Sequence, residues 1–169
     1  MDAGAGVVIT ASHNPAPDNG IKLWQPSGQA FDADRRGDIE RRITASDWEL
    51  EAWDGLGSRT AVEATTAHRE RLVEATGPVA EQVVVDLGNG AGGVTVDALT
   101  DLGCAVETLN AQPDGSFPGR PSEPTAENCE SLATLVRQSD ATVGIAHDGD
   151  ADRLRAVAGD GTYLSGDVT

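Results

Sequence analysis

Short runs of β-branched and apolar residues recur along the chain, each closed by glycine, proline or polar residues. Gly6-Val7-Val8-Ile9-Thr10 predicts a buried strand, and Ile21-Lys22-Leu23-Trp24 a second one, followed by the turn signal Pro26-Ser27-Gly28. Asp32 opens a helix predicted to run to about Ala45, with Ile39 and Ile43 four residues apart on one face. Residues 46–58, with Trp48, Trp53 and spaced glycines, read as a connector between domains. Thr60 to Thr76 is predicted as a helix ended by Gly77-Pro78.

From residue 82 onward strands and helices alternate. Gln82 to Leu87 predicts a buried strand, Gly88 to Gly93 a glycine loop, and Val94 to Leu102 a helix closed by Gly103. Ala105 to Leu109 is the next strand, Asn110 to Pro124 a long loop, and Thr125 to Gln138 a helix. Ala141 to Ala146 is another continuous apolar strand, and Leu154–Ala158 with Tyr163-Leu164 forms a hairpin around Gly159-Asp160-Gly161. This rhythm predicts an α/β fold with mixed, largely parallel sheets and flanking helices, as one complete domain plus part of a preceding one. A length of 169 residues leaves room for that division.

Composition narrows the classes of partner. The formal charge is −16, from 28 acidic and 12 basic residues, which repels nucleic acid and anionic membranes at long range. Lys22 is the sole lysine, and the acidic, lysine-poor surface is that expected in a high-salt cytoplasm, where counterions screen self-repulsion. Stability that rises with KCl is the corresponding expectation. Cys104 and Cys129 lack a CxxC or Cys/His context and read as reduced thiols. With no long apolar stretch and no signal-like N-terminus, the expectation is a soluble, cytoplasmic protein.

Two constellations carry chemistry, each directly after an apolar strand. The first is Thr10-Ala11-Ser12-His13-Asn14-Pro15. Ligands of parallel-sheet proteins sit at the carboxyl ends of strands, so an exposed serine there is a candidate nucleophile, although the segment alone is equally a polar turn. A serine-hydrolase elbow is absent, since the GxSxG spacing is not met. The second is Asp148-Gly149-Asp150-Ala151-Asp152-Arg153. Alternate positions of an extended segment project to one side, so the three carboxylates would repel one another unless a hard divalent cation neutralised them. The EF-hand reading fails, because Arg153 and Gly159 stand where a glycine and a chelating glutamate are needed. Three protein oxygens leave an octahedral ion open to water and phosphate, which suits Mg2+, and Arg153 is placed to meet a phosphate oxygen.

Taken with Asp18-Asn19-Gly20-Ile21-Lys22, Asp86 to Gly93, and Gly115-Ser116-Phe117-Pro118 with Pro121 and Pro124, the chain resembles the α-D-phosphohexomutase family over nearly its whole length. The resemblance implies that residues 1–54 form the C-terminal part of domain I, 55–158 domain II, and 159–169 the start of a linker to domain III. It implies that Ser12 carries a phosphoryl group and exchanges it with a hexose phosphate through a hexose 1,6-bisphosphate. It further implies that Asp148, Asp150, Asp152 and a Ser12 oxygen hold magnesium. Lys22 matches the lysine near the reacting hydroxyl and is implied to be catalytic. His13 and Asn14 are implied to shape the loop and contact phosphate, with a direct catalytic part for His13 as the alternative. The segment 18–22 looks closer to phosphoglucosamine mutases than to phosphomannomutases or phosphoglucomutases. Domains III and IV have no counterpart here, so the chain alone is expected to be weakly active or inactive, a non-catalytic remnant, or one that relies on missing domains or a self-partner.

A rival comes from Gly88-x-Gly90-x-x-Gly93, which follows a strand, opens a helix and precedes Glu107 by the spacing of a dinucleotide fingerprint. That reading predicts a Rossmann-type NAD-binding protein, and it leaves Ser12 and the aspartate triplet without a role.

Overall fold

The computed structural model describes residues 3–166, so the last positions of the predicted linker, 167–169, lie outside the described residues. The chain divides into two units, one holding residues up to Ile9 with Ile21–Glu63, the other Thr10–Gly20 with the chain from Ala64 onward.

In the first unit, β1 (Gly6–Ile9) pairs antiparallel with β2 (Ile21–Trp24), setting Val8 opposite Lys22. The helix α1 (Ala33–Ala45) starts where the sequence predicts, because the Asp32 carboxylate accepts the Arg35 N–H at 2.9 Å and so caps the first turn. It ends at Ser46, whose φ of 53° lets its N–H reach back to the last carbonyls. The predicted burial of the first strand is not found. Val7, Val8 and Ile9 are exposed, because β1 has a single ladder partner and α1 buries none of its residues.

The second unit is built on a five-stranded mixed sheet in the order β4-β3-β5-β6-β7. Its strands are β3 (Gln82–Asp86), β4 (Ala105–Leu109), β5 (Val143–His147), β6 (Leu154–Ala158) and β7 (Tyr163–Leu164). β3 runs parallel to both β4 and β5, while β5–β6 and β6–β7 are antiparallel, so the predicted final hairpin forms. Strand alternation splits the core between two faces. Val84 packs with Cys129, Leu132 and Val136, the last two from α4 (Glu130–Gln138). Val83 and Val85 face the opposite way, toward Cys104 and toward Val96 and Leu99 of α3 (Gly93–Asp101). Gly144 lets α4 sit close on β5, since a Cβ there would lie 2.7 Å from Val136.

Two helices start later than the sequence predicts. α2 (Thr65–Thr76) begins five residues after Thr60, because Val62 is exposed and Ala64 offers no capping side chain. Before α4, Thr125 forms a separate turn, with its hydroxyl accepting the Asn128 N–H at 3.2 Å and its carbonyl the Cys129 N–H at 3.0 Å. Regular helix follows from Glu130. Both cysteines are buried and free; burial pushes the Cys129 thiol up to about 11, and the Cys104 thiol donates to the Val79 carbonyl. No helix among the described residues is long and apolar enough to cross a membrane.

Candidate active site

The carboxyl ends of β3 and β5 lie side by side, with Asp86 in register with Ala146. Parallel strands end together, and their last carbonyls and the loops that follow form one rim. Both chemical loops meet there, inside the second unit.

Asp148 follows β5 and its side chain is fully buried. Its Oδ1 accepts the Arg153 N–H at 3.1 Å, and its Oδ2 accepts Arg153 Nε at 3.2 Å and the Ser12 hydroxyl at 3.2 Å. Arg153 Nη2 in turn donates to Ser12 Oγ at 3.0 Å and contacts His13 Nδ1. Ser12 is thus held between an acceptor and a cation. Asp150 accepts the Thr10 hydroxyl at 2.8 Å, and Asp152 lies beside Arg153 at 3.8 Å. One oxygen from each of Asp148, Asp150 and Asp152 lies within 4.8 Å of the others.

The carboxylates converge by a route different from the predicted one. Residues 149–152 form turns and bends rather than an extended segment, with Ala151 at φ 58° and its N–H bonded to the Asp148 carbonyl at 3.2 Å. Ser12 also sits at positive φ, 55°, a conformation that costs a non-glycine residue about 1–2 kcal/mol. Its surroundings hold it there. Thr10 Oγ1 accepts the Ser12 N–H at 2.8 Å, and the Thr10 N–H bonds the Gly20 carbonyl at 2.9 Å. Gly149 is needed for the two loops to touch, because a Cβ on it would lie 2.6 Å from the Ser12 carbonyl oxygen.

Of the predicted site residues, Ser12, His13, Asp148, Asp150, Asp152 and Arg153 are brought together, and Asn14 is tied in through its carbonyl, which accepts the Ser122 hydroxyl at 3.0 Å. Lys22 lies on β2, in the other unit. A cleft of about 220 Å³ opens beside Ser12, walled by Thr10, Asn14, Asp18, Phe117 and Gly149.

The glycine loop has a different use from the one its fingerprint suggests. A Cβ on Gly88 would lie 2.7 Å from the Arg120 guanidinium, and one on Gly90 2.6 Å from the Gly149 carbonyl. Gly92 is crowded by Leu87, His147 and Ala151. Protein atoms fill the approach to Gly88 and Gly90 of the fingerprint, whereas Gly93, its third glycine, has open space beside it; the Ala91 N–H donates to the Gly149 carbonyl at 3.0 Å. The loop supports the aspartate loop.

Sequence reasoning gave no role of its own to Thr10 or Ser122, missed Arg120, and named Asp86 only as part of a motif. The first two are small hydroxyl residues in polar loops, with no spacing to mark them. Arg120 lies in a stretch rich in proline and glycine, where a charged side chain ordinarily points to water.

Residues 62–161 match the family described as phosphoglucomutase/phosphomannomutase, alpha/beta/alpha domain II, and residues 1–50 match domain I of the same description. A Methanosarcina barkeri protein called a probable phosphoglucosamine mutase is 47% identical over 164 residues, covering 96% of this chain and 38% of the relative. A Thermococcus kodakarensis phosphoglucomutase/phosphomannomutase is 38% identical over 175 residues, covering 100% of this chain and 38% of the relative. The crystal structure of a phosphoglucomutase/phosphomannomutase family protein from Burkholderia thailandensis superposes with a TM-score of 0.82 at 34% identity, over 95% of this chain and 34% of that one. The chain therefore spans well under half the length of these relatives.

Proposed function

The chain belongs to the phosphoglucomutase/phosphomannomutase family, and from that premise we propose that it carries the phosphoryl-transfer half of a phosphohexomutase site. The observation that carries the proposal is the placement of Ser12 Oγ, 3.2 Å from Asp148 Oδ2 and 3.0 Å from Arg153 Nη2.

Ser12 is assigned as the phosphoryl carrier. In one half-reaction the P–Oγ bond breaks as a bond forms from phosphorus to a sugar hydroxyl oxygen, giving a hexose 1,6-bisphosphate. In the other, the bisphosphate returns its second phosphoryl group to Ser12, so the phosphate has moved between the 1- and 6-positions. Asp148, Asp150 and Asp152 suit magnesium, since they offer three oxygens and no softer donor within one small space. Magnesium held there with a Ser12 phosphate oxygen would neutralise charge on the transferring group.

The chain's own residues do the rest. Arg153, already on Ser12 Oγ, supplies a fixed cation for phosphate oxygens, with His13 beside it. Asn14 shapes the loop and contacts phosphate. Lys22 is assigned to the reacting hydroxyl, where a compact ammonium steers a proton or stabilises charge. The positive φ of Ser12 aims its hydroxyl before substrate arrives, which lowers the orientation cost of an in-line transfer.

The proposed substrate is a hexosamine phosphate, supported by the Methanosarcina name, with glucose and mannose phosphates as the second choice on the Thermococcus name. Incubating the chain with glucosamine or glucose 1,6-bisphosphate and magnesium, followed by intact-mass analysis, is expected to add one phosphoryl group. Ser12→Ala should take up none. Phosphate appearing at another residue, or none on the wild-type chain, would sink the assignment. Full turnover of a sugar monophosphate by this chain is expected to be weak or absent.

A further inference from the structure

Arg120 is buried beside the candidate site, and none of the proposed chemistry uses it. Its five N–H donors face five oxygens. Nε donates to Asp86 Oδ2 at 2.6 Å, and Nη2 to the His147 carbonyl at 2.7 Å and the Asp86 carbonyl at 3.4 Å. Nη1 donates to the carbonyls of Pro121 at 3.0 Å and Ser122 at 3.4 Å. Asp86 is held in turn: its Oδ1 accepts the Gly88 N–H and Asn110 Nδ2, both at 2.9 Å.

These contacts link two strand ends with the loop that carries Pro121 and Ser122. Asp86 closes β3, and His147 closes β5 one residue before Asp148. Ser122 carries the link onward, because its hydroxyl holds the Asn14 carbonyl and its Cβ lies against Gly149. We propose that Arg120 is a positioning residue that sets the spacing between the Ser12 loop and the Asp148–Arg153 loop. It touches no reacting atom. It acts by fixing His147 and Ser122 to the same rigid guanidinium plane.

Two features favour positioning over plain stability. A buried ion pair contributes little net stability once its desolvation is counted, and apolar replacements are often neutral or better. A lysine would satisfy Asp86 as a charge with far fewer constraints, whereas the planar fork is matched to carbonyls on both sides. Gly88, at φ 53°, leaves the space that the guanidinium occupies.

The decisive variant is Arg120→Lys in the full chain, compared with wild type by hydrogen–deuterium exchange and by magnesium titration calorimetry. The expected result is faster exchange in residues 10–15 and 148–153, with β3 and β5 amides as protected as in wild type. Magnesium affinity should fall about 10–100-fold, the usual cost of removing support behind metal ligands. A merely structural role would instead raise exchange across the sheet. Wild-type exchange in both loops of the folded variant would overturn the proposal. Should Arg120→Lys fail to fold, Ser122→Ala cuts only the tie to Asn14; faster exchange confined to residues 10–15 supports the clamp, and unchanged exchange there refutes it. The ligand in this inference rests on the mutase reading, but the exchange readout does not. Loops that loosen in a chain whose wild type binds no magnesium would leave the clamp standing and remove the metal assignment.

Discussion

β1 and β3 are written in nearly the same residues, Gly-Val-Val-Ile and Gln-Val-Val-Val-Asp, yet they meet opposite environments. Val7 is 62% exposed and Val8 44%, whereas Val84 and Val85 are 1% and 0% exposed. Both runs form strands, as their β-branched residues favour. The difference lies in the neighbours. β3 has a strand on each side and a helix over each face, while β1 has one partner and no covering core in its own unit. An apolar run therefore specifies a strand, and the elements around it specify whether the strand becomes a foundation. The Asp148 loop hangs from the β3–β5 pair.

That contrast predicts its largest effect on metal binding. Asp148→Ala is expected to abolish magnesium binding detectable by calorimetry, while Val7→Thr leaves the affinity within about twofold, as surface changes away from a site do. A strong loss from Val7→Thr would show that the first unit shares in the metal geometry. Next comes stability. Leu132→Ala, at a fully buried position under Val84, should cost about 2–5 kcal/mol by urea denaturation. Val7→Ala should stay within about 0.5 kcal/mol. Equal losses at the two sites would end the distinction.

A smaller effect sharpens it within the first unit. Without a buried face, α1 depends on local terms, so Asp32→Ala should cost that helix about 1 kcal/mol and speed amide exchange at its N-terminus. The cap removed from a helix with a packed face would be partly compensated; here loss of the cap should show in full.

The smallest effect is one of pH. The Asp114 carboxylate is held below its ordinary 3.8 by the hydroxyl and N–H of Ser116, and it stands in the loop that leads to Arg120. A depressed carboxylate stabilises the fold above its unfolded value and loses that contribution as pH falls through the folded one. Protection factors at Ser116 and Phe117, corrected for the intrinsic exchange rate at each pH, should therefore fall as the pH drops below about 4, the ordinary carboxylate range. In Asp114→Asn this step should vanish. β3 amides should not respond over the same range.

Much of the molecule was legible along the chain. Strand positions, the cap at Asp32, the final hairpin and both chemical loops follow from local preferences and from residue types placed just after apolar runs. Ser12 and the three aspartates stood out because a hydroxyl and three closely spaced carboxylates follow directly after apolar runs, where ligands gather in parallel-sheet proteins. The glycine fingerprint misled for a related reason: glycine marks where something must come close, and only the fold shows that the something is Arg120 and Gly149. Arg120 and Ser122 carried no mark at all, since their importance lies in oxygens that are distant in sequence.

Local chemistry thus determined which segments become strands, helices and turns, and which residues are the candidates for phosphoryl transfer and metal binding. Tertiary structure decided which strands are buried, how the aspartates converge through the turn at Ala151, and which arginine holds the two loops in place. The physical reason is range. Propensity and capping act over a few residues and are written in adjacent letters, whereas burial and carbonyl geometry depend on atoms that only folding brings within about 3 Å of one another.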